Sequence, residues 1–277
     1  MRDNRAMSLP HAAARWRPTR FVRGSAALHA AALAGVALGP ELWPWALGAV
    51  AANQAAILAG GLLPRSTLLG PNLTRLPARA AARGEVALSL DDGPDPEVTP
   101  RVLELLARRG ARATFFCIGE RAARHPGLVR AIAGAGHAVE NHSLRHRHDF
   151  ALLGPRRYVA EIGAAQDTLA ALAGAAPRFF RAPAGLRNPF LDLALTRLGL
   201  QLVSWTRRGY DTRNADAADV LARLTRALAP GDILLLHDGH AVRGANGAPV
   251  LLEVLPRLLD ALQAAALRPV TLRAALD

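Results

Sequence analysis

From residue 85 onward the chain alternates short apolar runs with longer stretches whose apolar residues recur at helical spacing. Apolar runs at 86–90, 113–118, 137–140, 178–181, 200–205, 232–236 and 269–272 predict strands. Between them, 97–109, 126–135, 155–172, 189–198, 215–229 and 249–266 predict helices. In the first helix Val102, Leu103, Leu105 and Leu106 supply the apolar side. Strands alternating with helices in this way predict parallel βα units, in a barrel-like or an open sheet.

Ahead of this region the pattern changes. Between Arg23 and Arg65 lie 41 residues with a single charge, Glu41. The stretch 24–40 is rich in Ala, Leu and Gly but short for a membrane span. The stretch 42–64 reaches the roughly 20 apolar residues a spanning helix needs, although Asn53 and Gln54 sit within it. Trp43-Pro44-Trp45 beside Glu41 fits a turn at a membrane interface, where indole rings prefer to lie. The expected organisation is a basic N-terminal tail over 1–23, a membrane-associated helical hairpin over 24–64, a linker over 65–83 and a catalytic-sized domain over 84–277. Gly70-Pro71 and Pro77 punctuate the linker.

Two other readings of the apolar segment stay open. Arg15, Arg17, Arg20 and Arg23 resemble the basic start of a signal peptide, and an Ala-rich helical pair can also be soluble. Arginines flank both ends of the hairpin, which favours both ends and the main domain on the cytoplasmic side. A single span would put the domain outside, so the sequence leaves the side open. The expected location is a bacterial inner membrane.

Composition narrows the function classes. With 51% hydrophobic and 20% charged residues the chain is not a disordered one. A single cysteine, Cys117, excludes a disulfide scaffold and a cysteine-built zinc finger, and its apolar neighbours make it a core thiol. The net charge of +12 comes entirely from arginine, since the chain has no lysine. Residues 1–83 hold ten Arg against Asp3 and Glu41, +8; residues 84–277 hold 24 Arg against 20 acids, +4. The excess therefore precedes the main domain. With aromatics at 5% no basic face with stacking residues emerges, and nucleic acid is not expected as a partner.

In parallel βα folds functional residues gather at the C-terminal ends of strands. Here five such ends carry polar groups. Asp91-Asp92-Gly93-Pro94 follows the first strand; alone it also reads as an acidic turn. Two adjacent carboxylates raise one pKa unless a cation holds them, and a metal on one leaves the other free as a base. His142-Ser143-Leu144-Arg145-His146 gives imidazoles at i and i+4, which share one face if the segment forms a helical turn; alone they also read as surface histidines. Two His and one carboxylate form a common catalytic metal set with open positions for water and substrate. Arg181 ends the fourth strand, where it could orient a carboxylate or form an ordinary salt bridge. Trp205 ends the fifth. His237 ends the apolar run Ile233-Leu234-Leu235-Leu236, placed to protonate a leaving group or simply hydrogen-bonded at the rim.

These motifs, Leu88-Ser89-Leu90-Asp91-Asp92-Gly93-Pro94, His142-Ser143-Leu144-Arg145-His146, Arg181-Ala182-Pro183-Ala184-Gly185 and Leu235-Leu236-His237-Asp238, resemble in kind and order those of polysaccharide deacetylases of the NodB-homology type, carbohydrate esterase family 4. The resemblance covers roughly 84–277 and implies an α/β fold, a distorted (β/α) barrel, that removes an acyl group from an N-acylated amino sugar in a polysaccharide or oligosaccharide. It implies one divalent metal, zinc with cobalt, manganese or nickel as alternatives, held by Asp92, His142 and His146. It implies Asp91 as base, oriented by Arg181, His237 as acid, and Leu235 at the acyl-methyl pocket. The family's compact Trp–Asp pattern is replaced by Trp205-Thr206-Arg207-Arg208-Gly209-Tyr210-Asp211, so Trp205 as a wall and Asp211 as partner of His237 are carried over across extra residues. Two competing functions remain: deacylation or deformylation of a lipid-linked amino sugar at the membrane, and non-catalytic glycan binding by a membrane protein.

Overall fold

The computed structural model describes residues 15–245 and 247–277. Most of the basic tail expected over 1–23 lies outside those residues. Helix α1, Arg20–Leu38, opens where the Thr19 hydroxyl accepts the Val22 amide hydrogen, and it ends at Gly39. After one tight turn over Pro40–Leu42 the chain reverses into α2, Trp43–Leu62. The tryptophans are thus the first turn of α2 and not the reversal itself, with Trp43 and Trp45 exposed. Both helices are long and apolar enough to cross a membrane by length and composition. Asn53 donates to the Ser25 hydroxyl at 2.8 Å, so one of its polar groups is spent between the helices.

The catalytic-sized part follows as α3 Ala78–Ala82, β1 Glu85–Asp91, α4 Val98–Arg108, β2 Thr114–Cys117, α5 Gly119–Arg124, α6 Pro126–Gly134, β3 Ala138–Asn141, α7 Pro155–Ala173, β4 Phe179–Phe180, α8 Phe190–Leu198, β5 Gln201–Leu202, β6 Arg207–Arg208, α9 Ala217–Thr225, β7 Ile233–His237, α10 Val250–Ala264, β8 Arg268–Val270 and α11 Leu272–Leu276. All strand pairs are parallel, in the order β5-β4-β3-β2-β1-β7-β6, with β8 also on β1. The curled sheet with helices outside is the distorted α/β half-barrel that the motifs imply. Strand β6 and helices α3, α5 and α11 were not foreseen. The strand expected to run through Leu272 stops at Val270, because the Thr271 hydroxyl caps α11 by accepting from Ala274.

Strand parity decides what faces the barrel interior. Val86, Leu88 and Leu90 of β1, and Leu234 and Leu236 of β7, pack outward into the helix-lined core. Ala87, Ile233 and Leu235 point inward, with Phe116, Phe179, Val203 and Trp205. Asp91 and His237 share the inward parity and are paired neighbours across β1 and β7. All seven residues of β1 are buried, which explains why Val86, Ala87, Leu88 and Leu90 show no strict polar alternation.

The segment expected as a linker is packed into this interior. Leu69, Leu76 and Ala80 are buried, and Leu73 packs against the inner core. The Leu73 amide donates to Leu202 and its carbonyl accepts from Ser204, while Leu76 donates to Gly231, next to β7. The chain therefore hydrogen-bonds to both flanks of the open sheet and covers an edge that would otherwise be unpaired.

Candidate active site

Asp91 reaches the rim at the C-terminal end of β1. Its Oδ1 accepts from Arg181 Nη1 at 2.6 Å. Arg181 is fully buried, and its other donors go to the Ser89 hydroxyl and the carbonyls of Val203 and Ser204. Its guanidinium also lies 4.1 Å from the Phe116 ring centre. Burial lowers the Arg181 pKa, and the Asp91 charge opposes that loss. Four of its five N–H donors are thus engaged in the buried site, which holds Asp91 in place.

A strand would send Asp92 to the opposite face. Instead its φ of 72° turns the chain, and both carboxylates enter one site. Asp92 Oδ1 lies 3.2 Å from both His142 Nε2 and His146 Nε2. That oxygen is buried and accepts no aligned hydrogen bond. His142 Nδ1–H donates to the Arg181 carbonyl at 2.8 Å, which fixes the tautomer and turns the Nε2 lone pair toward Asp92. The two imidazoles are not on a helical turn, as their spacing had predicted. They sit on a loop whose left-handed Ser143 and His146, φ 67° and 51°, bring them together, with the Ser143 hydroxyl accepting from the His146 amide. Ligand atoms of Asp92, His142 and His146 all lie within 4.8 Å of one another. An orphaned buried carboxylate oxygen facing two imidazole nitrogens is a donor set that fits one divalent cation.

Electrostatics follow the same arrangement. Burial raises the Asp92 carboxyl, but the neighbouring imidazoles of His142 and His240 win and hold it far below the usual carboxylate range. Burial presses His146 down to about 4, so it is a neutral nitrogen donor at neutral pH.

Opposite this triad stands His237. Its Nδ1–H and its backbone N–H both donate to the Asp211 carboxylate, each at 2.8 Å, with Asp211 wholly buried. Burial disfavours the imidazolium, yet the Asp211 charge and hydrogen bond outweigh it and raise the His237 pKa. A cavity of about 250 Å³ joins these groups; Asp91, Asp92, His142, His146, Trp205, Leu235 and His237 line it. Arg181 and Asp211 lie behind it, each in contact with the side chain it was expected to serve.

The sequence reading missed three contributors. His240 Nδ1 lies 3.1 Å from Asp92 Oδ2, and Arg121 donates to the Asp92 carbonyl at 2.9 Å. The spacing His237-Asp238-Gly239-His240 was the available signal for the first. The third is Asp238, fully buried and hydrogen-bonded to Thr99 at 2.6 Å, its carboxyl pushed by burial up to about 7.

Residues 78–203 match the polysaccharide deacetylase family. The chain is 33% identical over 178 residues to a peptidoglycan-N-acetylglucosamine deacetylase of Bacillus cereus, covering 64% of each protein. It is 35% identical over 156 residues to a chitooligosaccharide deacetylase of a Bradyrhizobium species, covering 56% of this chain and 71% of that one. Among solved structures, the family 4 carbohydrate esterase of Streptomyces lividans in complex with acetate superposes with a TM-score of 0.61 at 34% identity, over 67% of this chain and 91% of that one.

Proposed function

The chain belongs to the polysaccharide deacetylase family, and from that premise we propose that it hydrolyses the N-acetyl group of an amino sugar within a glycan. The observation that carries this reading is the placement of the metal triad between two differently supported groups, Asp91 on Arg181 and His237 on Asp211. The metal, for which zinc suits two imidazoles and a carboxylate best, would be held by Asp92, His142 and His146. It would supply a Lewis acid for the acyl carbonyl and lower the pKa of an attacking water toward ~7.

The side chains do the rest. Arg181 occupies Asp91 Oδ1, so Oδ2, which lies 3.9 Å from His142 Nε2, is the oxygen left to take the water proton. His237 Nε2 gives a proton to the departing sugar amine, while Asp211 holds Nδ1 and stabilises the charged ring. Trp205 and Leu235 wall the cavity and exclude water around the acyl methyl. Bound acetate in the Streptomyces lividans esterase supports an acetyl product. The intact set of base, acid and metal ligands favours catalysis over glycan binding alone.

The test is a panel of N-acetylated and N-formylated amino sugars and their oligomers, offered to zinc-loaded protein. Released acetate should exceed formate and should vanish with a chelator. Stoichiometric zinc without acyl release from any sugar would overturn the proposal.

The Asp211–His237 pair adds a pH signature. With His237 as acid, activity falls as pH rises through its raised pKa. Asp211→Asn removes the leading influence that raises it, so the alkaline limb should move to lower pH by about one unit or more. An alkaline limb that stays in place would assign it to another group.

We also place α1 and α2 in a membrane, on their length and composition, and start the folded domain at about residue 69, on the burial of Leu69, Leu76 and Ala80.

A further inference from the structure

The extra residues between Trp205 and Asp211 build something the hydrolysis does not use. They form β6 and end at Tyr210. Arg207 is neutralised there by Asp232. Arg208 is not: no carboxylate among the described residues pairs with it, and its buried Nε donates to nothing. Its guanidinium instead lies 5.3 Å from the Trp205 ring centre and 5.0 Å from that of Tyr210. Two further arginines beside it, Arg65 and Arg213, are likewise without a carboxylate partner among the described residues; Arg65 donates only to the Thr206 carbonyl. Half of the 24 arginines in residues 84–277 do have one, for example Arg109, Arg145, Arg223 and Arg243.

Arg208 also stands at a junction. It and Trp205 line both the active-site cavity and a second cavity of about 530 Å³ that runs to Leu63, Pro64 and Arg65, just past the end of α2. Arg213 lines the first and Arg65 the second. No acidic residue lines the second cavity. A buried guanidinium N–H without an acceptor is costly, and planar guanidinium matches a phosphate better than any other side chain does. The stacked aromatic rings restrict its pose.

We infer that the two neighbouring cavities, which share Trp205 and Arg208 in their lining, take one substrate: an amino sugar over the metal triad and, beyond it, a phosphate ester against Arg208, flanked by Arg65 and Arg213. This rests on the proposed N-deacylase reading and narrows its substrate to glycosyl phosphates. A lipid carried on that phosphate would extend toward Leu63 and the apolar helix α2.

The full chain in detergent, zinc-loaded, tests this by calorimetric binding of N-acetylglucosamine 1-phosphate against unphosphorylated N-acetylglucosamine. The phosphate should tighten binding about tenfold or more, the usual return of a charge-assisted hydrogen-bonded pair. Arg208→Gln should erase that gain and Arg208→Lys restore part of it. Equal affinity for the two sugars, or a gain that survives Arg208→Gln because the phosphate sits on the metal, overturns the inference. Acyl release is followed in parallel on the soluble 1-phosphate and on the same sugar linked through phosphate to a polyprenyl chain. A higher kcat/KM for the second identifies a lipid-borne substrate, and equal values a free sugar phosphate. If no sugar is deacylated at all, the hydrolase reading fails, while the binding comparison still decides the phosphate site.

Discussion

Asp91→Asn should abolish turnover and leave the metal in place. The amide oxygen can still accept from Arg181, so the side chain keeps its position, but the group facing the triad no longer takes a proton. General-base contributions are about 10²- to 10⁴-fold, and kcat should fall by the upper part of that range. The Asp91 carboxylate stands 3.9 Å from the His142 ring nitrogen and is not one of the three ligands, so metal content should stay near that of the parent protein. Asp92→Asn and His146→Ala remove ligands and should lower metal affinity by more than the about 100-fold that outer partners cost. There is one confounding effect. Arg181 is buried, and neutralising Asp91 leaves its charge without compensation, which costs about 3–5 kcal/mol in comparable sites. A melting curve therefore accompanies the assay, which is run well below the variant's transition. Elemental analysis beside activity separates the cases: equal metal loss in all three variants would strip Asp91 of a separate role.

A chain that begins at Arg79 should fail to fold, whereas one that begins at Gly60 should fold without the hairpin. The shorter chain loses Leu69 and Leu76, both buried, and Leu73 with its hydrogen bonds to Leu202 and Ser204. Each buried leucine contributes about 1.5–3 kcal/mol. The two fully buried ones together approach the lower end of the about 5–15 kcal/mol that holds a domain folded. The loss also opens the inner core at Val203 and Trp205. Beginning at Gly60 keeps the Gly61 carbonyl that accepts from Arg187 and the Pro64 carbonyl that accepts from Asn72 and Ser204. Circular dichroism and gel filtration of both chains decide the matter. A cooperative melt and zinc binding in the chain from Arg79 would show that residues 69–78 are dispensable.

The strands and the site were legible for different reasons. Apolar runs and strand-end polar residues expose the sheet because a parallel core buries both faces, and β1 is the plain example. Asp91, Asp92, His142, His146, Arg181 and His237 could be named because each belongs to a short motif. Their geometry could not: the pairing of Asp91 with His237 needs strand register, and the approach of the two triad histidines needs left-handed Ser143 and His146, which no spacing announces. The packing of residues 69–83 was hidden because its partners, Leu202, Ser204 and Gly231, lie more than a hundred residues away, while Gly70-Pro71 and Pro77 read locally as breaks. His240 was passed over because it belongs to none of those motifs, lying two residues past His237-Asp238.

Pro64 also sets a limit on reach. Gly185, at φ 75°, takes its place on the cavity rim only because it lacks a side chain; a Cβ there would come within 2.7 Å of both Pro64 and Trp205. The end of α2, the rim and the catalytic wall are thus one solid piece. Were residues 65–83 a free tether, its 19 residues would let the site wander by about 24 Å from its anchor. Stitched down, they allow almost none. Were the hairpin in a bilayer, as proposed above, the metal triad would work at one fixed height above the lipid, and a glycan would be processed only where it came down to that height.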